Sequence, residues 1–239
     1  MKITAIEPQQ RHPDRYNIAL DGRFALGMDG ALVVAEGLCV GQELNAADVE
    51  RLTGREEERW LFDAALRFLA PRPRSRAEVR RRLLAPRPNH PIPSREGIER
   101  ILDRLENMEL LNDRDFADFW VENRERFSPR SARALGQELR QKGVARETAE
   151  QVSDPERDED RALTAARQRL HALRGLEYEA FRTRLGQFLL RRGFSYGVAR
   201  TTVQQVWEEL RGEAAAEDDE DGDDGPDEMG RDAEIDTDE

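Results

Sequence analysis

Residues 134–144 read ALGQELRQKGV, and residues 184–194 read RLGQFLLRRGF. Each stretch has two leucines four residues apart, followed by a base, a glycine and an apolar residue. A spacing of four puts both leucines on one face of a helix. The glycine suits the left-handed conformation that ends a helix, and a base is favourable just before it. The pattern therefore predicts two helices that end in the same kind of cap.

A third segment has the same apolar pair, Val79 and Leu83, but lacks the glycine. The pairs recur at intervals of 56 residues (Leu83 to Leu139) and 50 residues (Leu139 to Leu189), and the longer interval contains a proline-rich insert at residues 86–93. Self-similarity at a nearly fixed period is typical of stacked helical repeats. These three segments are therefore predicted to be the central helices of three repeats.

Apolar residues at spacings of three and four predict one helix before and one after each central helix. The leading helices carry Leu61, Ala65, Phe68, Leu69; Phe116, Phe119, Trp120, Phe127; and Ala162, Ala166, Leu170. The trailing helices carry Ile98, Ile101, Leu102, Leu105; Thr148, Ala149, Val152; and Val198, Thr202, Val206, Leu210. Helix start signals agree with these assignments. Ser75 and Glu78 form a capping box, Asn112 precedes the acidic residues Asp113 and Asp115, and Asp154 is a cap before a proline in the first helical turn. The sequence predicts a mainly α protein, with three tandem three-helix repeats in a curved array at residues 55–111, 112–153 and 154–211.

The first 54 residues have the alternating pattern of strands. Tyr16, Ile18 and Leu20 alternate with other residues, Asp21-Gly22 follows, and the alternation resumes at Phe24 and Leu26. An Asp-Gly pair between two alternating runs is a strong hairpin signal. Residues 32–34 and 38–40 predict further short strands or a small helix, and Asn45 can cap a helix through Leu52. Residues 1–54 are therefore predicted to form a small N-terminal β-hairpin module.

Charge is distributed unevenly along the 239 residues. The net charge is −12, but residues 213–239 alone carry 15 acids and one base, so the remaining chain is slightly basic. Apolar residues make up 38% of the chain and charged residues 37%, a balance that favours thin helices with wide solvated faces. The acidic segment has no apolar periodicity, and residues 212–239 are therefore predicted to form a disordered tail.

Several functional classes lose support from the sequence. It contains no Gly-x-x-x-x-Gly-Lys-Ser/Thr loop and no Cys-x-x-Cys pair, and its three histidines are scattered, so we expect no cofactor, no metal and no enzyme activity. Cys39 is the single cysteine; it fits a reducing cytoplasm, and its apolar neighbours predict a small buried filler. The sequence has no run of about 20 apolar residues, the length needed to span a bilayer, and its N-terminus lacks the apolar core of a signal peptide. We expect a cytoplasmic protein without membrane contact.

Arginine is the conspicuous surface residue. Residues 71–95 hold eight arginines against one acid, and bases recur on all three central helices. The candidate partner-binding residues are Arg74, Arg76, Arg80, Arg81, Arg130, Arg133, Arg140, Lys142, Arg184, Arg191 and Arg192. Such a stripe suits a phosphate backbone or an acidic protein groove. The alternative for each single arginine is an ion pair with a local acid such as Glu78 or Glu138. Trp120, with Phe116 and Phe119, fits either a base-stacking platform or, at helical spacing, the core.

Several stretches, in this order, resemble the RecX regulatory proteins. They are residues 74–84 (RSRAEVRRRLL), 110–117 (LLNDRDFA), 129–135 (PRSARAL), 138–144 (ELRQKGV) and 188–195 (FLLRRGFS). The hairpin at residues 16–26 is similar to the N-terminal extension of longer members. The resemblance covers roughly residues 1–210; the insert at residues 86–93 and the acidic tail lie outside the family pattern and inherit no role from it.

The resemblance implies a modulator of the RecA recombinase, in DNA recombination, repair and the SOS response. Family members bind in the helical groove of the RecA–DNA filament and restrain its ATPase, strand-exchange and co-protease activities. We accordingly expect a monomer that binds the RecA filament without a cofactor. Two alternatives stay open: a protein that binds single- or double-stranded DNA directly with the same arginines, and a scaffold whose acidic tail recruits basic partners.

Overall fold

The structure, a computed structural model, describes residues 1–86 and 92–220, with the backbone alone for residues 213–220. It begins with an antiparallel sheet in the order β1 (Ile3–Gln9), β2 (His12–Leu20), β3 (Arg23–Asp29). The β2–β3 turn has positive φ at Asp21 (48°) and Gly22 (78°), as a two-residue hairpin turn requires. The predicted hairpin is confirmed, and β1 adds a third strand to it.

The sheet packs one face against the helix that follows it, α1 (Gly30–Ala35). Ile3, Ile18 and Met28 are fully buried in the same apolar cluster as residues of α1. Residues 32–34 thus form a helix, begun by the Asp29 side chain, which accepts a hydrogen bond from the Ala31 amide. The expectation of a buried Cys39 was wrong: its thiol-bearing side chain is exposed in the turn after α1, because Leu38 there fills the core.

Nine further helices follow within the described residues. They are α2 (Ala46–Leu69), α3 (Arg76–Leu84), α4 (Arg95–Asn107), α5 (Asp113–Phe127), α6 (Ala132–Gln141), α7 (Arg146–Val152), α8 (Asp158–Arg169), α9 (Tyr178–Arg191) and α10 (Tyr196–Glu220). They form three sets of three, which confirms the predicted three-helix repeats. The helix begun by Asn45 does not end at Leu52; it runs on through Gly54 as α2 to Leu69.

The paired apolar residues of the central helices α3, α6 and α9 lie in the core. All six are fully buried: Val79, Leu83, Leu135, Leu139, Leu185 and Leu189. The capping glycines also have the expected left-handed backbone, with φ of +87° at Gly143 and +91° at Gly193. The core assignment fails at Phe127, which is 65% exposed because it is the last residue of α5.

The chain divides into two compact units. One comprises Met1–Glu122 with Gly136–Val152; the other comprises Asn123–Leu135 with the chain from Ser153 onward. In the first unit α2, α3 and α4 enclose one apolar cluster, and in the second α8, α9 and α10 enclose another. The curvature of the array and the domain boundaries proposed from the sequence stay predictions.

The disordered tail was predicted to start at residue 212, and this was wrong for its first part. Helix α10 continues through Gly212 to Glu220. Residues 213–217 (EAAAE) are strong helix formers and can extend an existing helix, since only initiation of a helix is costly. The rest of the tail, residues 221–239, and most of the proline-rich insert, residues 87–91, lie outside the described residues. Across the described ranges, no helix is long and apolar enough to cross a membrane.

Candidate partner-binding surfaces

The Lys142–Gly143 turn after α6 packs against the start of α3, a contact that we call the first junction. The Val144 amide donates to the Leu139 carbonyl at 3.1 Å, and the Gly143 amide donates to the Arg140 carbonyl at 2.9 Å. A Cβ added to Gly143 would lie 2.3 Å from Cβ of Ala77. Residue 143 must therefore be glycine for two reasons: its φ is left-handed, and the turn approaches α3 too closely for a side chain.

Ser75 holds the first junction together with hydrogen bonds. Its buried hydroxyl donates to the Lys142 carbonyl at 2.7 Å and accepts from the Glu78 amide at 3.1 Å. A carboxylate oxygen of Asp113, at the start of α5, accepts from the Arg76 amide at 2.7 Å. The predicted capping box is only half formed, because the Glu78 side chain turns away to other partners.

Those partners are two cations. Glu78 accepts from Nζ of Lys142 at 3.0 Å and pairs with Arg72 at 3.2 Å. Burial raises the pKa of Glu78, but the hydrogen bonds from Lys142 and Arg72 outweigh burial and hold the pKa below its usual value. Lys142 also lies 4.1 Å from the ring centroid of Trp120, whose indole nitrogen donates to Glu138 at 2.9 Å. Lys142 thus has a carboxylate partner inside the protein, and Trp120 packs against it.

Glu78→Gln is expected to lower the free energy of unfolding at pH 7 by about 1–3 kcal/mol, because Lys142 loses its buried counter-charge. A carboxyl whose pKa is depressed by folding stabilises the protein above its unfolded pKa of about 4.3 and loses that contribution as pH falls. The difference between wild type and variant should therefore shrink from pH 7 to pH 3. Urea denaturation at both pH values measures it; an equal difference at both would contradict the role of this ion pair.

The Arg192–Gly193 turn after α9 packs against the start of α6 in the same way, and we call this contact the second junction. The Phe194 amide donates to the Leu189 carbonyl at 3.3 Å, and a Cβ added to Gly193 would lie 2.7 Å from Oγ of Ser131. The Ser131 amide donates to the Arg192 carbonyl at 3.2 Å. Asp158, at the start of α8, accepts from the Ala132 amide at 2.7 Å, as Asp113 does at the first junction.

Arg161 is a buried residue that sequence reasoning missed. Its side chain is 3% exposed, and its guanidinium binds Glu125 at 2.9 Å and the Asp154 carbonyl at 2.6 Å. It lies on the inner face of α8, four residues before the buried Ala165. Its position on this apolar face was the only sign in the sequence that the side chain would be buried. Arg161 stabilises the second unit and is unavailable to a partner.

Part of the predicted arginine stripe is likewise used inside the protein. Arg76 binds three carboxylates of α4 (Glu99, Asp103 and Glu106), and Arg80 shares Glu99. The hydrogen bond from Arg80, joined by that from Arg76, lowers the pKa of Glu99 to about 2. Arg74 lies 4.1 Å from the Phe68 ring centroid and donates to the Phe68 carbonyl at 3.3 Å.

The other candidates divide into exposed and packed residues. Five are exposed and form no ion pair among the described residues: Arg81, Arg133, Arg140, Arg184 and Arg191. Arg130 and Arg192 are half-buried in the second unit, and Lys142 is half-buried in the first. Within the part of the chain that the structure describes, no group of three or more His, Cys, Asp or Glu side chains could hold a metal ion.

The fold and its two junctions define a class: a tandem three-helix repeat protein whose central helices join through glycine-ended turns. The regulatory protein RecX N-terminal domain matches residues 1–45, and the first, second and third RecX three-helix domains match residues 62–85, 112–152 and 156–203. The chain belongs to the RecX family.

Relatives match over most of the chain. The regulatory protein RecX of Listeria monocytogenes is 28% identical over 213 residues, which cover 88% of this chain and 77% of that relative. The Bacillus subtilis protein of the same name is 28% identical over 207 residues, covering 85% and 76% of the two chains. A crystal structure of regulatory protein RecX superposes with a TM-score of 0.58 at 24% identity, covering 82% of this chain and 96% of that one, and supports the same fold.

Proposed function

We propose that this protein is a cytoplasmic monomer that binds in the groove of the RecA–DNA filament and inhibits RecA ATPase, strand exchange and co-protease activity. The observation that carries the proposal is the match of four RecX domains in order along one chain. The protein acts by binding, with no covalent chemistry and no cofactor.

The exposed arginines support a binding role because they carry uncompensated charge. Arg184 and Arg191 are seven residues apart on α9, so they lie on one face, about 10 Å apart along the helix axis. The same kind of exposed base occurs at Arg133 and Arg140 on α6. Arginine forms bidentate hydrogen bonds with phosphates and carboxylates, the anions that a nucleoprotein filament offers.

The test is the DNA-dependent ATPase of RecA measured with increasing amounts of the purified protein. We expect inhibition by wild type, and weaker inhibition by a variant in which four exposed bases are replaced with glutamine: Arg133, Arg140, Arg184 and Arg191. Half-inhibition should require roughly tenfold or more protein, which corresponds to a loss of about 1.4 kcal/mol or more of binding. Glutamine keeps good helix propensity, so the helix content should not change.

A matched control removes four other exposed arginines that already pair with a neighbouring acid: Arg114, Arg146, Arg167 and Arg182. It changes the net charge equally and should inhibit like wild type. Equal weakening by both variants would mean that net charge alone decides, and unchanged inhibition by the first would place the contact surface elsewhere. No inhibition by wild type would overturn the proposal.

A further inference from the structure

Helices α9 and α10 leave a groove between them on the surface of the second unit, with a volume of about 460 Å³. Ala199 and Val203, both buried, form its floor together with Gly186. A Cβ added to Gly186 would have nothing within 4 Å, so the groove is open at its middle because this residue has no side chain. The groove runs from Tyr178 to Leu190, which is about 18 Å along the axis of α9. It is therefore long enough for a short peptide segment.

Apolar side chains are exposed at both ends of the groove. Tyr178 is exposed at one end, and Leu190 and Tyr196 are exposed at the other. Grouped apolar surface of this kind marks an interaction site, whereas single exposed apolar residues do not. The groove also carries positive charge: Arg200 is exposed and forms no ion pair among the described residues, while Arg182 already pairs with an acid of α9. The groove thus suits an acidic segment that has two apolar anchors.

Such a segment occurs in the sequence of this chain, at residues 227–236 (DEMGRDAEID), with five acids and one base. Met229 and Ile235 are the only large apolar residues after Leu210. They are six residues apart, so an extended backbone places them about 20 Å from each other and on the same side. This separation matches the length of the groove, so the two side chains can reach its two apolar ends at the same time.

The segment can reach the groove within the same chain. Trp207 contacts Tyr178 at the near end of the groove, with ring centroids 5.3 Å apart, and α10 rises about 20 Å from there to Glu220. An extended chain spans about 3.3 Å per residue, so residues 221–229 are long enough, at up to about 30 Å, to bring Met229 back to Tyr178. A tether of this length gives an effective concentration in the millimolar range. Even a contact with a dissociation constant of about 1 mM is therefore well populated.

We infer that the groove between α9 and α10 is a binding site for the acidic segment at residues 227–236 of the same chain. Met229 binds at the end of the groove formed by Tyr178. Ile235 binds at the other end, beside Leu190. While the segment is bound, it covers apolar surface and excludes any other peptide from the groove. The contact goes beyond the proposed function, since it requires no RecA.

The test uses the complete 239-residue chain with benzoylphenylalanine, an apolar photo-cross-linking residue, in place of Ile235. Mass spectrometry identifies the linked peptides, and gel electrophoresis separates links within one chain from links between chains. We expect links within one chain to the groove around Leu190 and Tyr196. Gly186→Leu, which fills the middle of the groove, should lower their yield several-fold. Arg200→Glu should do the same at low salt, and less so at high salt, because salt screens the charges.

Thr201→Leu is the matched control for Gly186→Leu, since it adds a leucine at an exposed position of α10 that does not line the groove. It should leave the yield unchanged, and circular dichroism should show the same helix content in all variants. Links spread over the whole second unit would overturn the site. So would a yield that Thr201→Leu lowers as much as Gly186→Leu does, or one that neither Gly186→Leu nor Arg200→Glu lowers. Links between chains alone would overturn it in favour of a second copy as the occupant.

Discussion

Leu139→Asp is expected to abolish the cooperative folding of the first unit, to which Leu139 belongs. The Leu139 side chain is fully buried, and its carbonyl accepts the amide hydrogen bond of Val144 that closes the first junction. Truncating a buried leucine alone costs about 2–5 kcal/mol. Burying a carboxylate without a partner adds several kcal/mol more, so the sum is comparable to the whole stability of a domain, about 5–15 kcal/mol.

Circular dichroism and thermal melting measure this effect. We expect a large loss of helical signal or a melting transition shifted far below that of wild type. The control is Leu190→Asp, the same substitution at a leucine of α9 that is 45% exposed, which should change the melting temperature little. A Leu139→Asp variant that melts like wild type would show that α6 does not bury this face.

The core residues of the repeats were predictable because their signal is local. Two leucines four residues apart face the same side of any helix, and a following glycine marks its end, so residues 135, 139 and 143 could be assigned without tertiary information. Helix lengths were less predictable. Asn45 marks the start of α2, but Gly54, a residue type that often ends helices, does not end it, because propagation costs little once a helix has begun.

The roles of individual arginines were not predictable, because they depend on contacts between distant segments. Arg76 and Arg81 are five residues apart in one basic run; Arg76 binds carboxylates of α4, and Arg81 is exposed. The difference follows from which side of α3 packs on α4, and the run itself contains no sign of it. Likewise Lys142 and Arg192 occupy equivalent positions before a glycine, but the residue across each junction differs, with Glu78 facing Lys142 and Ala134 at the equivalent position of the second junction.

Gly143→Ala is expected to destabilise the protein by about 2–5 kcal/mol. An L residue in the left-handed region costs roughly 1–2 kcal/mol, and an overpacked contact adds about 1–3 kcal/mol. Both apply here, since φ is +87° and the new Cβ would lie 2.3 Å from Cβ of Ala77. Urea denaturation measures the loss. Gly186→Ala is the control: this glycine lies inside α9 with nothing within 4 Å of a new Cβ, so the variant should gain roughly 0.4–1 kcal/mol.

A double-mutant cycle separates the two costs of Gly143→Ala. Ala77→Gly removes the atom that the new methyl group would strike, at a helix-propensity cost of about 1 kcal/mol. If close packing at the first junction contributes, the combined variant should be more stable than the sum of the single changes predicts, by about 1–3 kcal/mol. The backbone cost at residue 143 should persist in the double variant, because Ala77→Gly does not alter φ there. Strict additivity would mean that α3 and the turn after α6 are not in contact, and that glycine is required at residue 143 for its backbone conformation alone.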